Sequence, residues 1–370
     1  MHNSNYSPPV TESPPRAWAE VDFGALRHNL NVLRQRSGKE VMAVVKAGAY
    51  GHGLVEVARE LDGEGLPFFG VANAGEARRL FQAGIKTRPY ILGATLPSER
   101  EEIAARDWTP CLCSLEEMEH FNTLGEKHPV RAHLALDTGM GRGGFLPHEL
   151  GNALEKLSSC RGIQLTGIGS HLPVADEDAE FTRSQFELFD SLIESIPRPA
   201  GTFHIHLSNS AGLLAFKSKT TNLVRPGLAL YGVSPLPDEQ KIFRPVMSLK
   251  TRVSLVHDLP KGHGVSYGRT ILTRDTKTAV LGIGYGDGYP RSLSGKGAEV
   301  VIRDLRCPIL GRVTMDQLIV DVTELPDCQP GDIATLFGDE PLVSDLASKA
   351  GTIAWELLTQ ITPRVTRNYR

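Results

Sequence analysis

Hydrophobic positions along the chain follow two rhythms, and the change comes at about residue 244. The first rhythm opens with Leu26, Leu30 and Leu33, spaced four and three apart as on one face of a helix. Eight short apolar runs follow, at 41–46 (VMAVVK), 68–73 (FFGVAN), 89–94 (PYILGA), 109–114 (TPCLCS), 131–137 (RAHLALD), 165–171 (LTGIGSH), 204–209 (HIHLSN) and 223–230 (LVRPGLAL). Amphipathic stretches such as 76–83 and 178–194 lie between them. Eight strands alternating with helices predict an α/β fold of the (β/α)8 barrel type. Beyond residue 244 the runs are strand-like, at 249–256, 278–283, 298–302 and 317–322, and are separated by glycine, proline and aspartate turns. They predict a mainly β C-terminal domain, decorated by late helices at 343–350 and 353–361. The expected organisation is a barrel over 17–243 and a β domain over 244–370. Residues 1–16 are polar and proline-rich with no apolar segment, which predicts a disordered tail and not a signal peptide.

In such barrels the chemistry sits at the C-terminal ends of the strands. Lys46, Asn73, Asp137 with Arg142, His171, and Asn209 with Ser210 fall at or just after the ends of their runs, and Arg225 stands in the last run directly before Pro226. The competing architecture, an open doubly wound sheet, rests only on Gly139 to Gly144, which fits G-x-G-x-x-G. That match lies in the fifth unit and lacks the acidic residue about twenty positions on that a dinucleotide site needs.

Composition narrows the field further. A chain of 370 residues suits a large barrel plus a second domain. No run approaches the roughly eighteen continuous apolar residues of a membrane helix, and a net charge of -3 argues against a polyanion-binding surface. Neither a membrane nor a nucleic acid is therefore expected as a partner. Arg364, Arg367 and Arg370 read as a solvated edge. Cys111, Cys113, Cys160, Cys307 and Cys328 are an odd count with no C-x-x-C pair, which predicts reduced thiols, no metal site and a cytoplasmic protein.

Lys46 is the residue of most chemical interest. It ends an apolar strand and is followed by a glycine-punctuated turn, Ala47 to Gly53. A lysine there either reaches solvent or is kept desolvated for a purpose, such as a Schiff base with an aldehyde.

The stretch Val41 to Gly53 contains A-V-V-K-A-x-A-Y-G-H-G. It is accompanied in order by Met140 to Gly143, His204 to Ser210 (HIHLSNS), Arg225-Pro226-Gly227, Leu230-Tyr231-Gly232, Val265 to Gly268 (VSYG), Gly284 to Arg291 (GYGDGYPR) and Gly311 to Gln317 (GRVTMDQ). From about residue 17 to its end the chain resembles the alanine racemase family, barrel-type (fold III) enzymes that depend on pyridoxal 5'-phosphate. The resemblance implies that 17–22 crosses over to join the β domain. It also implies a small amino-acid substrate and a homodimer with shared active sites. Lys46 resembles the Schiff-base lysine and one of two bases at the substrate Cα. Tyr267 resembles the opposing base, supplied by the other subunit. An ordinary phenol, with a pKa of about 10, is a poor base at neutral pH, and by resemblance His171 and Arg225 form the network that favours the phenolate. Arg225 would face the cofactor's ring nitrogen, to which a permanently charged guanidinium gives no full proton. This disfavours transamination. Tyr50, Asn209, Ser210 and the backbone around Gly227 and Leu228 match the cofactor-holding positions. Arg142 and the Met315 amide match the substrate-carboxylate contacts, and Tyr285, Arg291 and Arg312 match the entry corridor. Asp316 is matched but fits a turn cap equally well.

The sequence also departs from the family. Gly48 stands where many members have Asn or Asp, Ala135 where some carry a carbamylated lysine that orients the residue matched by Arg142, and Pro363 where some place a tyrosine on the phosphate. The expected activity is interconversion of L- and D-alanine, supplying D-alanine for peptidoglycan. The alternatives are a racemase of serine or of broader specificity, a related barrel decarboxylase, which would be expected to put a carboxylate where Arg225 stands, and a non-enzymatic cofactor carrier, which would not need residues 244–370.

Overall fold

The computed structural model describes residues 14–196 and 201–370, so the expected tail lies outside the described residues as far as residue 13. The chain forms two compact units. One holds Val21–Met247, Ile353–Gln360 and Tyr369–Arg370; the other holds Ser248–Thr352, Ile361–Asn368 and the segment ending at Glu20.

In the first unit every one of the eight apolar runs contributes a short parallel strand. Ala43–Val44 pairs with Phe68–Val71, which pairs with Arg88–Ile91. From there the ladder passes through a bridge at Tyr90 and Thr109 to Cys111–Leu112, then to Val130–Ala135, Ile163–Gly169, His204–His206 and Leu223–Val224. Leu223–Val224 pairs with Glu40–Val41, and the Met42 amide donates to the Val224 carbonyl at 2.9 Å, so the sheet closes on its first strand. Closure leaves no unpaired edge. The interior is filled by Met42, Phe68, Tyr90, Cys111, Ala135 and Leu223. The helices between the strands follow the sequence spacing: Leu26, Leu30 and Leu33 are fully buried on Phe23–Ser37, and Ala74–Gln82 and Ala179–Glu194 occupy the two amphipathic stretches. The G-x-G-x-x-G match is a loop between Asp137 and Phe145 that opens no helix, which removes the doubly wound reading.

Two expectations change in detail. The run 223–230 keeps only two residues as strand and continues as a 3-10 turn over Leu228–Tyr231, because Pro226 has no N–H to continue a ladder. The second late helix, Ala354–Thr359, belongs to the barrel unit and not to the β domain. The Leu358 carbonyl sits so close to Gly51 that a Cβ there would collide with it.

In the second unit six antiparallel strands close on themselves. Their order is Thr276–Leu281, Leu318–Asp321, Leu305–Leu310, Glu299–Ile302, Ile333–Phe337 and Met247–Leu259, and the last pairs back with the first. Met247–Leu259 serves both neighbours through register shifts near Leu249 and Val253. Ala17–Val21 and Thr366–Tyr369 extend the sheet beyond it. Leu305–Leu310 was not legible as a strand because Arg306 and Pro308 break its apolar run.

Candidate active site

The first unit gathers its predicted site residues at the barrel mouth, starting with the turn after Lys46. Ala47, Gly48, Ala49, Tyr50 and Gly51 all have positive φ, from 53° to 81°. Left-handed backbone costs about 1–2 kcal/mol per non-glycine residue, so the surroundings must hold it. The Ala49, Gly51 and Gly53 amides donate to Val45, Ala47 and Gly48 carbonyls at 2.7, 3.0 and 2.8 Å. Glu76 accepts from the Ala47 amide at 2.7 Å and from the Ala72 amide at 2.9 Å, while the buried His52 ring approaches the Ala49 and Tyr50 carbonyls at 3.0 and 2.9 Å. Gly48, at φ 64°, pays no Cβ penalty here, so its departure from Asn or Asp suits the turn.

Gly51 has φ 81° and is backed by the Leu358 carbonyl. Gly51→Ala is expected to destabilise the barrel unit by about 2–4 kcal/mol, combining left-handed strain with overpacking. Urea unfolding monitored by circular dichroism checks this; an unchanged midpoint would show that the turn relaxes freely.

Burial and Arg142 lower the Lys46 ammonium pKa, Glu76 opposes them, and Arg225 adds to the lowering. The amine is therefore readier than an ordinary lysine to lose its proton. Arg225 is buried, which lowers its own pKa. Its guanidinium donates to the Ser170 carbonyl at 2.6 Å and the Leu207 carbonyl at 3.3 Å, and reaches His206 Nδ1 at 2.6 Å and His171 Nδ1 at 3.1 Å. Burial first, then Arg225, Arg142 and Lys46, push the His171 pKa down to about 3, so this imidazole is neutral. Three cations thus converge, and Glu76 is the acidic group that opposes them at Lys46. Such a mouth favours an anionic ligand.

A cradle lies beside them. Asn209 caps the helix Ser210–Ala215 through the Gly212 amide at 2.9 Å. This leaves the buried Ser210 hydroxyl to accept from the Gly227 amide at 3.1 Å and the Ala229 amide at 3.3 Å, with Leu228 buried between them. The Tyr50 hydroxyl lies against Gly227 so closely that a Cβ there would collide with it. Tyr50 is buried, stacked on Tyr231 at 4.8 Å, and its phenol pKa is raised by burial. Asp137 accepts from the Gly139 and Met140 amides, each at 2.8 Å, which shapes the loop that carries the exposed Arg142. Ala135 is part of the apolar interior. Asn73 is a helix cap, accepting from the Glu76 amide at 3.0 Å.

The second unit gathers its own set. Tyr267 stands 72% exposed on the turn between Gly264–Val265 and Thr270–Ile271, and the Ser266 hydroxyl donates to the Arg312 carbonyl at 2.6 Å. The Arg291 turn joins this group because Ser294 Oγ accepts from the Val313 amide at 3.0 Å. The Tyr285 and Gly286 amides donate to the Thr314 and Met315 carbonyls at 3.0 and 2.9 Å, which fixes the Met315 loop. Asp316 accepts from Arg364 at 2.8 Å, and Arg364 also pairs with Asp287 at 3.2 Å. Pro363, beside that arginine, is exposed. Sequence reasoning did not single out Glu76, His133 or His206, and it read Arg364 as part of a solvated edge where the structure pairs it with Asp316 and Asp287. Of the first three only Glu76, three residues after a strand-end asparagine, carries a local signal, that of a helix start.

The geometry defines a barrel enzyme with a lysine-bearing, cationic mouth and an anion cradle. Residues 21–235 match the model of the alanine racemase N-terminal domain, and residues 246–369 that of the alanine racemase C-terminal domain. The alanine racemase of Methylacidiphilum infernorum is 40% identical over 96% of this chain and 93% of its own. The biosynthetic alanine racemase of Pseudomonas aeruginosa superposes with a TM-score of 0.89 at 32% identity, covering 96% of this chain and 100% of that one. A Bartonella henselae alanine racemase with covalently bound pyridoxal phosphate superposes with a TM-score of 0.88 at 30% identity, with the same coverage. The chain belongs to the alanine racemase family.

Proposed function

We propose that this protein interconverts L- and D-alanine with pyridoxal 5'-phosphate held covalently by Lys46, and so supplies D-alanine for peptidoglycan in the cytoplasm. The observation that carries the reading is the meeting of a desolvated lysine with a hydroxyl-and-amide cradle at one barrel mouth. Among the described residues no helix is long and apolar enough to cross a membrane.

The residues fit the cofactor. Ser210, Tyr50 and the amides of Gly227 and its neighbours Leu228 and Ala229 suit a phosphate, which hydroxyls and oriented N–H groups hold well. A side chain at Gly227 would close that cradle. Asn209 fixes the helix that presents Ser210, and Arg142 and the Met315 amide are assigned to the substrate carboxylate. When bound, the cofactor supplies an electron-withdrawing ring that acidifies the substrate Cα–H.

Lys46 Nζ takes or returns the proton on one face of Cα, and its lowered pKa leaves it in the basic form more often than an ordinary lysine. Tyr267 does the same on the other face, from the β domain of the second subunit in a homodimer. His171 accepts from Arg225 at Nδ1, so its proton is on Nε2 and is free to be donated. Arg225 remains a cation and withholds a proton from the ring nitrogen assigned to it, which favours proton exchange over transamination or decarboxylation. Tyr285, Arg291 and Arg312 are assigned to the path by which a carboxylate enters.

A panel of single-enantiomer amino acids with chiral readout tests the reading. Alanine is expected to be converted in both directions and faster than any other member. Faster turnover of serine would favour the serine reading, to which Pro363 and Ala135 lend some support, and no inversion of any amino acid would contradict racemisation altogether.

A further inference from the structure

Deep in the barrel, below the mouth, two histidines that the proposed chemistry leaves unused lie in line with Arg225. His206, on His204–His206, places Nδ1 2.6 Å from Arg225 Nη1. His133, on Val130–Ala135, places Nδ1 2.9 Å from His206 Nε2. Both rings are buried. The strand Ile163–Gly169 runs between the two that carry them, and it has glycine at the two positions where a side chain would block their meeting. A Cβ at Gly167 would lie 2.7 Å from His133 Nε2, and one at Gly169 would collide with the His206 ring.

Guanidinium groups only donate hydrogen bonds, so His206 Nδ1 must accept. A neutral His206 then carries its proton on Nε2 and donates it to His133 Nδ1, which leaves the His133 proton on Nε2 as well. The direction of the whole chain is set at Arg225. Burial and Arg225 both lower the pKa of the two rings, His204 lowers them further, and both stay neutral. Four neutral acceptors, the Ser170 and Leu207 carbonyls and the imidazoles of His171 and His206, surround the guanidinium, and no ion pair to Arg225 is found among the described residues.

We propose that His206 and His133 are positioning residues: a directed hydrogen-bond relay, let through the sheet by Gly167 and Gly169, that fixes the guanidinium fork of Arg225 without neutralising its charge. A carboxylate in the place of His206 would fix the fork equally well but would cancel the charge that faces the mouth. An acceptor that stays neutral beside a cation does both tasks. The role assigned to Arg225 in racemisation is taken from the reading above, whereas the relay itself is a property of the protein without cofactor.

Nitrogen-15 NMR of histidine-labelled protein, without and with pyridoxal 5'-phosphate, separates the two. His206 and His133 are expected as neutral Nε2–H tautomers in both samples, with signals that do not titrate between about pH 5 and 8, the range in which an ordinary histidine does. An imidazolium or an Nδ1–H tautomer at either ring would overturn the relay even if the protein racemises alanine. On the function side, His206→Leu removes the acceptor and is expected to lower kcat by about tenfold to a hundredfold with KM little changed, as for one lost hydrogen bond to a buried charge. His206→Gln keeps an acceptor and a donor and is expected to return kcat to within a few-fold of the original. Equal losses in the two variants, both folded by circular dichroism, would mean that the ring acts by packing alone and would overturn the positioning role.

Discussion

Replacing Lys46 with alanine is expected to abolish racemisation, with a loss of several orders of magnitude in kcat/KM. The substitution removes two functions at once: the covalent hold on the cofactor and the proton acceptor on one face of Cα. The fold is expected to survive, because Lys46 is only partly buried and the backbone of its turn is held by Glu76, His52 and the amides of Ala49, Gly51 and Gly53. Turnover assayed with added cofactor checks this, with circular dichroism as the control for folding. Activity within tenfold of the unaltered protein would remove Lys46 from the chemistry.

Tyr267→Phe is expected to be nearly as damaging, losing orders of magnitude in proton exchange while keeping cofactor binding. Only the hydroxyl is removed, and a side chain that is 72% exposed contributes little to packing within its own unit. Solvent-isotope exchange at Cα, followed separately from each enantiomer, distinguishes a lost base from a lost substrate site. If the homodimer shares its sites as proposed, mixing inactive Lys46→Ala and Tyr267→Ala proteins under subunit exchange should restore about a quarter of the original activity, since half the dimers would be mixed and half their sites intact. Demonstrated exchange with no recovery would place both residues in one chain.

Much of the fold was legible because it is written in local periodicity. Leu26, Leu30 and Leu33 announce their helix, and each of the eight apolar runs became a barrel strand. What failed were places where a long-range contact outweighs the local signal. The helix Ala354–Thr359 follows a stretch of β domain yet packs on the turn at Gly51, and Leu305–Leu310 is drawn into the sheet by its partner Glu299–Ile302 despite Pro308.

The site divides the same way. Lys46 ends its run and Ser210 follows directly on its own, so strand geometry points to them; Arg225 lies inside the run 223–230 and stands at a strand end only because that strand stops at Val224. The left-handed turn does not show itself, because Ala47, Ala49 and Tyr50 have no compositional preference for positive φ and are held there by neighbours. Nor does the relay through His206 and His133, which depends on two residues of different strands meeting across a third. Its one trace in the sequence is the alternation of Gly167 and Gly169 in LTGIGSH, a small-residue pattern that acquires meaning only once the parallel register is known.

The central claim is that Lys46 is the covalent anchor, and borohydride reduction of the cofactor-loaded protein followed by peptide mass mapping tests it most directly. The expected result is a single reduced pyridoxyl adduct on the peptide that contains Lys46, lost in Lys46→Ala. An adduct confined to another lysine, or no adduct on a protein that racemises alanine with the cofactor present, would contradict the account.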